Sequence, residues 1–183
     1  MNGVISTKVG YAGGTTINPT YRNMGDHTES LEIEYNPTVI SYDEIVDFFW
    51  NSHNPTSEPW SKQYMSIAFY HSNLQKEVLL TLKKEQELKK GKKIYTELME
   101  ADMFYSAEDY HQKYYLQGVS ELMKELLALY PNFNDFVKST AAAKINGYVA
   151  GYGSIENLKL EIDSFGLSNK GQEHLTRLVK KLI

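Results

Sequence analysis

Polar and apolar residues alternate over residues 30–35, with Leu31, Ile33 and Tyr35 on one side and Ser30, Glu32 and Glu34 on the other. A period of two predicts a strand with one buried face. Asn36-Pro37 closes it, and residues 4–11 predict an earlier strand. From Ser41 the period becomes helical. Ser41 and Glu44 form a capping box, and Tyr42, Ile45, Val46, Phe48 and Phe49 make a core-facing stripe that ends near His53. Gln63-Tyr64 opens a strand over 66–70. Ser72 to Gln75 reads as a second capping box, whose helix carries Leu74, Val78, Leu79 and Leu82 as far as Gly91. Residues 94–99 are strand-like. Ser106 is placed to cap a helix with Glu108 and Asp109 in its first turn and Tyr110, His111, Tyr114 and Tyr115 beyond.

After Gly118 the pattern is helical throughout. Amphipathic helices are predicted over 120–130, 134–146, 154–165 and 168–183, punctuated by Pro131, Gly147 and Gly166. Leu122, Leu126 and Leu129 form one stripe, and Leu175, Leu178, Val179 and Leu182 another. There is no internal repeat and no low-complexity linker. The expected fold class is α+β with a C-terminal helical extension.

Composition narrows the function classes. The chain has 183 residues, 42% of them hydrophobic, enough for a sizeable core. A net charge of −4 argues against general nucleic-acid binding. The basic run over 83–93 alternates with Glu85 and Glu87 and reads as the solvated end of a helix. No stretch approaches the ~18 apolar residues of a membrane span, and no secretory signal is visible. A cytoplasmic location is the expectation, with room for a leader ahead of Met1. There is no cysteine, so disulfides and thiolate metal sites are excluded. His27, His53, His71, His111 and His174 show no metal-ligand spacing, and the glycines match no nucleotide-binding loop.

The densest chemistry lies in the first thirty residues. Gly10, Gly13 and Gly14, then Asn18-Pro19, describe a tight irregular loop. It offers a phenol at Tyr21, an imidazole at His27 and a carboxyl at Glu29, the last at the mouth of a strand. An acid beside such a loop is a candidate proton donor. A solvated strand-end acid is the plainer reading of Glu29, and an interior sheet tyrosine that of Tyr64. His53 reads as a helix-end histidine rather than a catalyst.

The run VGYAGGTTINPTYRNMGDHTESLEIEYNP, then ISYDEIVDFFWNSHNPT, QYMSIAFYH and FYSAEDYHQKYY, resembles peptide methionine sulfoxide reductase A. STAAAKINGYVAGYG is similar to the tail of one subgroup of that family. The resemblance implies a two-layer α+β sandwich with a ferredoxin-like core, here incomplete at its N-terminus. It implies a catalytic part over 1–117 and a helical extension over 118–183 packed on it. It also implies reduction of the S epimer of methionine sulfoxide, protein-bound or free. Glu29 matches the family's acid, and Tyr21 and Tyr64 match the tyrosines that hydrogen-bond the sulfoxide oxygen. Pro59 stands where the family has an aspartate, and Trp60 either supplies an apolar wall to the substrate or simply packs. No bound cofactor is implied. An external thiol, thioredoxin or glutathione, is the expected reductant, because the family's C-terminal resolving cysteines are absent. A monomer is expected.

The family's nucleophile lies in a Gly-Cys-Phe-Trp run upstream of the glycine loop, and no residue here matches it. Three readings compete. The favoured one is a gene reading interrupted at a selenocysteine codon and restarted at Met1. The others are a deliberately shortened chain and a catalytically inactive relative that binds methionine sulfoxide or a protein partner. Truncation predicts a chain less stable than its longer form, with apolar sheet and helix surface exposed.

Overall fold

The computed structural model describes residues 1–182. Among them five strands run at Val4–Ala12 (β1), Thr28–Tyr35 (β2), Ile67–Tyr70 (β3), Glu97–Glu100 (β4) and Tyr105–Ser106 (β5). The helices are Tyr42–Ser52 (α1), Asn73–Lys90 (α2), Tyr114–Gln117 (α3), Ser120–Leu129 (α4), Phe133–Lys138 (α5), Thr140–Val149 (α6), Ile155–Glu161 (α7) and Asn169–Leu182 (α8). The expected α8 terminus at Ile183 lies outside the described residues. The strands form a sheet of order β2-β1-β5 and a parallel pair β3-β4. The class is mixed α and β, as expected.

The chain divides into two compact units. The first comprises Met1–Gly3, Val9–Leu31 and Asn36–Ala107; the second comprises Val4–Lys8, Glu32–Tyr35 and the chain from Glu108 onward.

In the first unit, α1 and α2 pack with β3 and β4 around Val46, Trp50, Leu79 and Ile94. The Ser41 box forms in full: the Ser41 hydroxyl accepts from the Glu44 N–H, and the Ser41 N–H donates to the Glu44 carboxylate at 2.8 Å. The stripe of α1 needs correcting. Trp50 is buried and Phe48 is 55% exposed, because two residues past Val46 is the opposite side of a helix. The second box is only half formed. Ser72 accepts from the Gln75 N–H, but the Gln75 side chain accepts from His71 instead. Leu74, expected on the core stripe of α2, is exposed. Residues Lys62–Tyr64 form a 3-10 turn ahead of β3, not the strand's opening. The buried face expected of β2 is also incomplete: Leu31 is exposed, while Ile33 and Tyr35 are half-buried.

Ser106 does not cap a helix. It pairs with Gly10 in the β1-β5 ladder, and Tyr105 lies opposite Tyr11. Gly10 has a steric reason, since a Cβ there would run into the Tyr105 carbonyl and the Phe104 ring.

The second unit is built on Leu122, Leu126, Phe136, Ile145, Leu158 and Leu175, all fully buried. Leu129 and Leu182, expected on its stripes, are exposed. The helix expected from Ser106 becomes a 3-10 turn at Asp109–His111 and the short α3. Lys113, at φ 50°, separates them. The single helix expected over 134–146 is two, divided at Ser139. Its extended backbone ends α5, and its hydroxyl donates to the Phe136 carbonyl at 2.9 Å and accepts from the Ala142 N–H at 3.1 Å, starting α6.

Candidate functional site

The glycine loop is held from below by two consecutive residues. The Asp26 carboxylate accepts from the N–H and hydroxyl of both Thr15 and Thr16, at 2.8–3.0 Å. The Thr16 hydroxyl, then the Thr15 and Thr16 N–H groups and the Thr15 hydroxyl, hold that carboxyl well below the usual range. Gly25, at φ 63°, turns the chain beneath the loop, and a Cβ there would land on the Thr16 side chain.

His27 is 1% exposed. Its Nε2 lies 2.8 Å from the Thr16 carbonyl, which can only accept, so Nε2 carries the proton. Its Nδ1 accepts from the Gly14 N–H at 3.2 Å. The Tyr105 ring meets it edge-on at 5.4 Å. His27 is therefore a loop clamp, fully used in holding the backbone, and Asp26 shares that role.

The clamp leads directly into β2. Thr28 points inward, 3% exposed, and Glu29 points outward, as successive strand residues must. Each is tied to the 3-10 turn. The Thr28 hydroxyl donates to the Lys62 carbonyl at 2.8 Å, and the Gln63 side-chain amide donates to Glu29 Oε1, also at 2.8 Å. The structure thus brings the acid predicted from sequence to the turn that carries Tyr64, which is 47% exposed. Trp60 is 80% exposed and leans on Tyr64, with ring centroids 4.9 Å apart. Tyr21 sits 44% exposed in a turn closed by reciprocal Thr20 and Asn23 backbone bonds of 3.1 and 3.0 Å. Sequence reasoning passed over Gln63, Thr28 and Asp26. The only signal for Gln63 was its place beside Tyr64.

The strand that follows the turn is anchored by a part-buried polar chain. His53 is the C-cap of α1; its Nδ1 donates to the Phe49 carbonyl at 2.8 Å. Its Nε2 therefore accepts from the Ser66 hydroxyl at 2.7 Å, which leaves the Thr96 hydroxyl to donate to Ser66 at 2.8 Å. His53 is used structurally, as its position at the helix end suggests. Among the described residues no group of three or more His, Asp or Glu is arranged to hold a metal ion.

A carboxyl with one oxygen held by the amide that precedes an exposed phenol can donate a proton to a polar oxygen, and the phenol with the indole leaning on it offers aromatic surface to an apolar group.

Comparison with known proteins identifies the chain's relatives. A family profile described as peptide methionine sulfoxide reductase matches residues 1–144, and one described as the helical domain of selenoprotein methionine sulfoxide reductase A matches 132–183. A peptide methionine sulfoxide reductase of Drosophila melanogaster is 48% identical over 91% of this chain and 67% of its own length. Peptide methionine sulfoxide reductase A5 of Arabidopsis thaliana is 36% identical over 82% of this chain and 61% of its own length. The chain thus spans about two thirds of the length of these relatives. Among solved structures, reduced Mxr1 of Saccharomyces cerevisiae is 34% identical with a TM-score of 0.60, over 63% of this chain and 72% of that one. Methionine sulfoxide reductase A of Corynebacterium diphtheriae is 31% identical with a TM-score of 0.54, over 63% of this chain and 64% of that one. With most of its residues under the first profile and a close relative aligned along nearly its whole length, the chain belongs to the peptide methionine sulfoxide reductase family.

Proposed function

We propose that these residues form the proton-donating and substrate-orienting part of a peptide-methionine (S)-S-oxide reductase. The observation that carries this reading is the placing of Glu29 against the turn that ends in Tyr64, by the Gln63 bond of 2.8 Å. Sulfoxide reduction needs a soft nucleophile at sulfur and an acid at oxygen, because an unprotonated oxide is a poor leaving group. Glu29 is the acid. Tyr21 and Tyr64 donate hydrogen bonds to the oxygen, and Trp60 supplies an apolar wall.

The nucleophile is a thiolate or selenolate borne by a segment other than these 183 residues, which contain no cysteine. It bonds to the sulfoxide sulfur as Glu29 protonates the oxygen. The sum of the steps is sulfoxide plus thiol giving sulfide plus sulfenic acid, or the selenium equivalents. Two thiols of an external reductant, thioredoxin-like or glutathione, then return the nucleophile, with release of water and a disulfide. By themselves the 183 residues bind methionine sulfoxide without reducing it. Residues 1–117 carry the site and 118–183 form a helical extension of a monomer, working in the cytoplasm, where such thiols stay reduced.

The test joins a family nucleophile segment ahead of Met1 and assays both sulfoxide epimers with dithiothreitol. Reduction of the S epimer alone is the expected result. A folded joined chain that reduces neither epimer overturns it. The absence of cysteine favours a second reading, a sulfoxide-binding module without turnover, and that same negative result together with retained binding is its signature.

A further inference from the structure

Two neighbouring bonds join β2 to the 3-10 turn, and each spans 34 positions of the chain. Thr28 reaches Lys62 from the buried side of the strand, and Gln63 reaches Glu29 on the exposed side. Two ties on opposite faces set both the position and the rotation of a short turn, where one alone leaves a pivot. Gln63 is half-buried, so its amide is held in place while the carboxyl it meets stays open to a ligand. The amide group has one donor end and one acceptor end, and a carboxylate accepts from the donor end only. Oε1 is thereby committed to the Gln63 amide.

We infer that Gln63 is a positioning residue. It holds Oε1, so that the proton of Glu29 resides on Oε2, and it aims that oxygen at one face of the bound sulfoxide. The inference rests on the functional reading above and adds to it the element that selects the epimer. The sulfoxide oxygen and the sulfur's other substituents exchange places between S and R. A carboxyl whose proton-bearing oxygen is fixed serves one of them, whereas a freely rotating carboxyl serves both. In the transfer itself the Oε2–H bond breaks and an O–H bond forms on the sulfoxide oxygen, with its electron pair left on Glu29.

The test uses the 183-residue chain as it is. Each epimer of free methionine sulfoxide is titrated into nitrogen-15-labelled protein, and affinities are read from backbone and side-chain amide shifts. The unaltered chain is expected to prefer the S epimer. Gln63→Leu should weaken S binding about fivefold, leave R binding nearly unchanged and so erase the preference. In a Glu29→Gln background, Gln63→Leu should have little further effect, because the two residues act as one unit. A Gln63→Leu chain that melts with the unaltered protein and keeps the preference overturns the inference. If Gln63→Leu does not fold, Gln63→Glu, of the same size with a like charge facing Glu29, decides on the same criterion. An unaltered chain that responds to neither epimer fails at the earlier step, and overturns the functional reading together with the inference.

Discussion

The Thr28 hydroxyl donates to the backbone carbonyl of Lys62 at 2.8 Å, a part-buried bond that pins the Tyr64 turn to the first residue of the acid-bearing strand. Thr28→Val keeps the shape and removes the donor, leaving the Lys62 carbonyl without this partner. Lys62 is exposed, so water can take the donor's place and the expected cost is roughly 0.5–1.5 kcal/mol. Both tryptophans, Trp50 and Trp60, lie in the unit formed in part by Asn36–Ala107, so urea unfolding followed by tryptophan fluorescence reports on that unit. A midpoint unchanged by Thr28→Val would show that the tie does not hold the turn.

Asp26 makes the glycine loop acid-sensitive. Its carboxyl is held low by Thr15 and Thr16, so its stabilising contribution is complete above the unfolded value of ~4 and is lost as pH falls through the lower folded value. The unaltered chain should lose stability below about pH 4, and Asp26→Asn should flatten that acid limb, with salt reducing the difference because the site is exposed. Thermal melts from pH 6 to pH 2.5 measure this. Parallel curves for the two proteins would contradict it.

Lys113 predicts a slope of the same sign, at alkaline pH and from the relief of a penalty. Burial pushes its ammonium down to about 8, while its Nζ donates to the carbonyl and hydroxyl of Thr7. Between pH ~8 and ~10.4 the unfolded chain binds more protons than the folded one, so this group makes stability rise with pH over that window. Below about pH 8 the penalty is present in full, at most about 3 kcal/mol. Lys113→Met should remove the slope. Helical circular dichroism melts between pH 7 and pH 10 are the check, and a slope unchanged by the substitution would sink the assignment.

Glu161 ties α7 to α6 by accepting from Lys144 and from the Tyr148 hydroxyl, the latter at 2.5 Å. Burial alone would raise its carboxyl, but the Lys144 and Tyr148 bonds prevail and hold it below the usual range. Burial and the Glu161 carboxylate together raise Tyr148 beyond the ordinary phenol range. Glu161→Ala leaves a buried hydroxyl and a half-buried ammonium without this partner, at an expected cost of roughly 2–4 kcal/mol. Urea unfolding followed by helical circular dichroism would show it, and a loss below half a kcal/mol would mean water replaces the carboxylate.

Local signals in the sequence suffice where the physics is local. The Ser41 and Glu44 box, the stop of α2 at Gly91 in a left-handed conformation, and the strand bearing Glu29 all follow from side chains within a few positions. The errors arise where distant residues decide. Ser106 has the composition of a cap, but its backbone is taken by Gly10 nearly a hundred positions away. Ser139 looked like any polar residue inside a helical run, and only its two hydrogen bonds reveal a cap that divides α5 from α6. At the site, Glu29, Tyr21 and Tyr64 could be picked out by type and by resemblance. Gln63 could not, because its role exists only once the turn at 62–64 is laid beside β2.

The most direct test of the central claim is the rate of S-epimer reduction by the chain joined to a nucleophile segment, compared between the native residue at position 29 and Glu29→Gln. Loss of the proton donor should lower the rate by about a hundredfold or more, with binding of the sulfoxide retained. An equal rate in the two proteins would contradict it and move the acid to another residue.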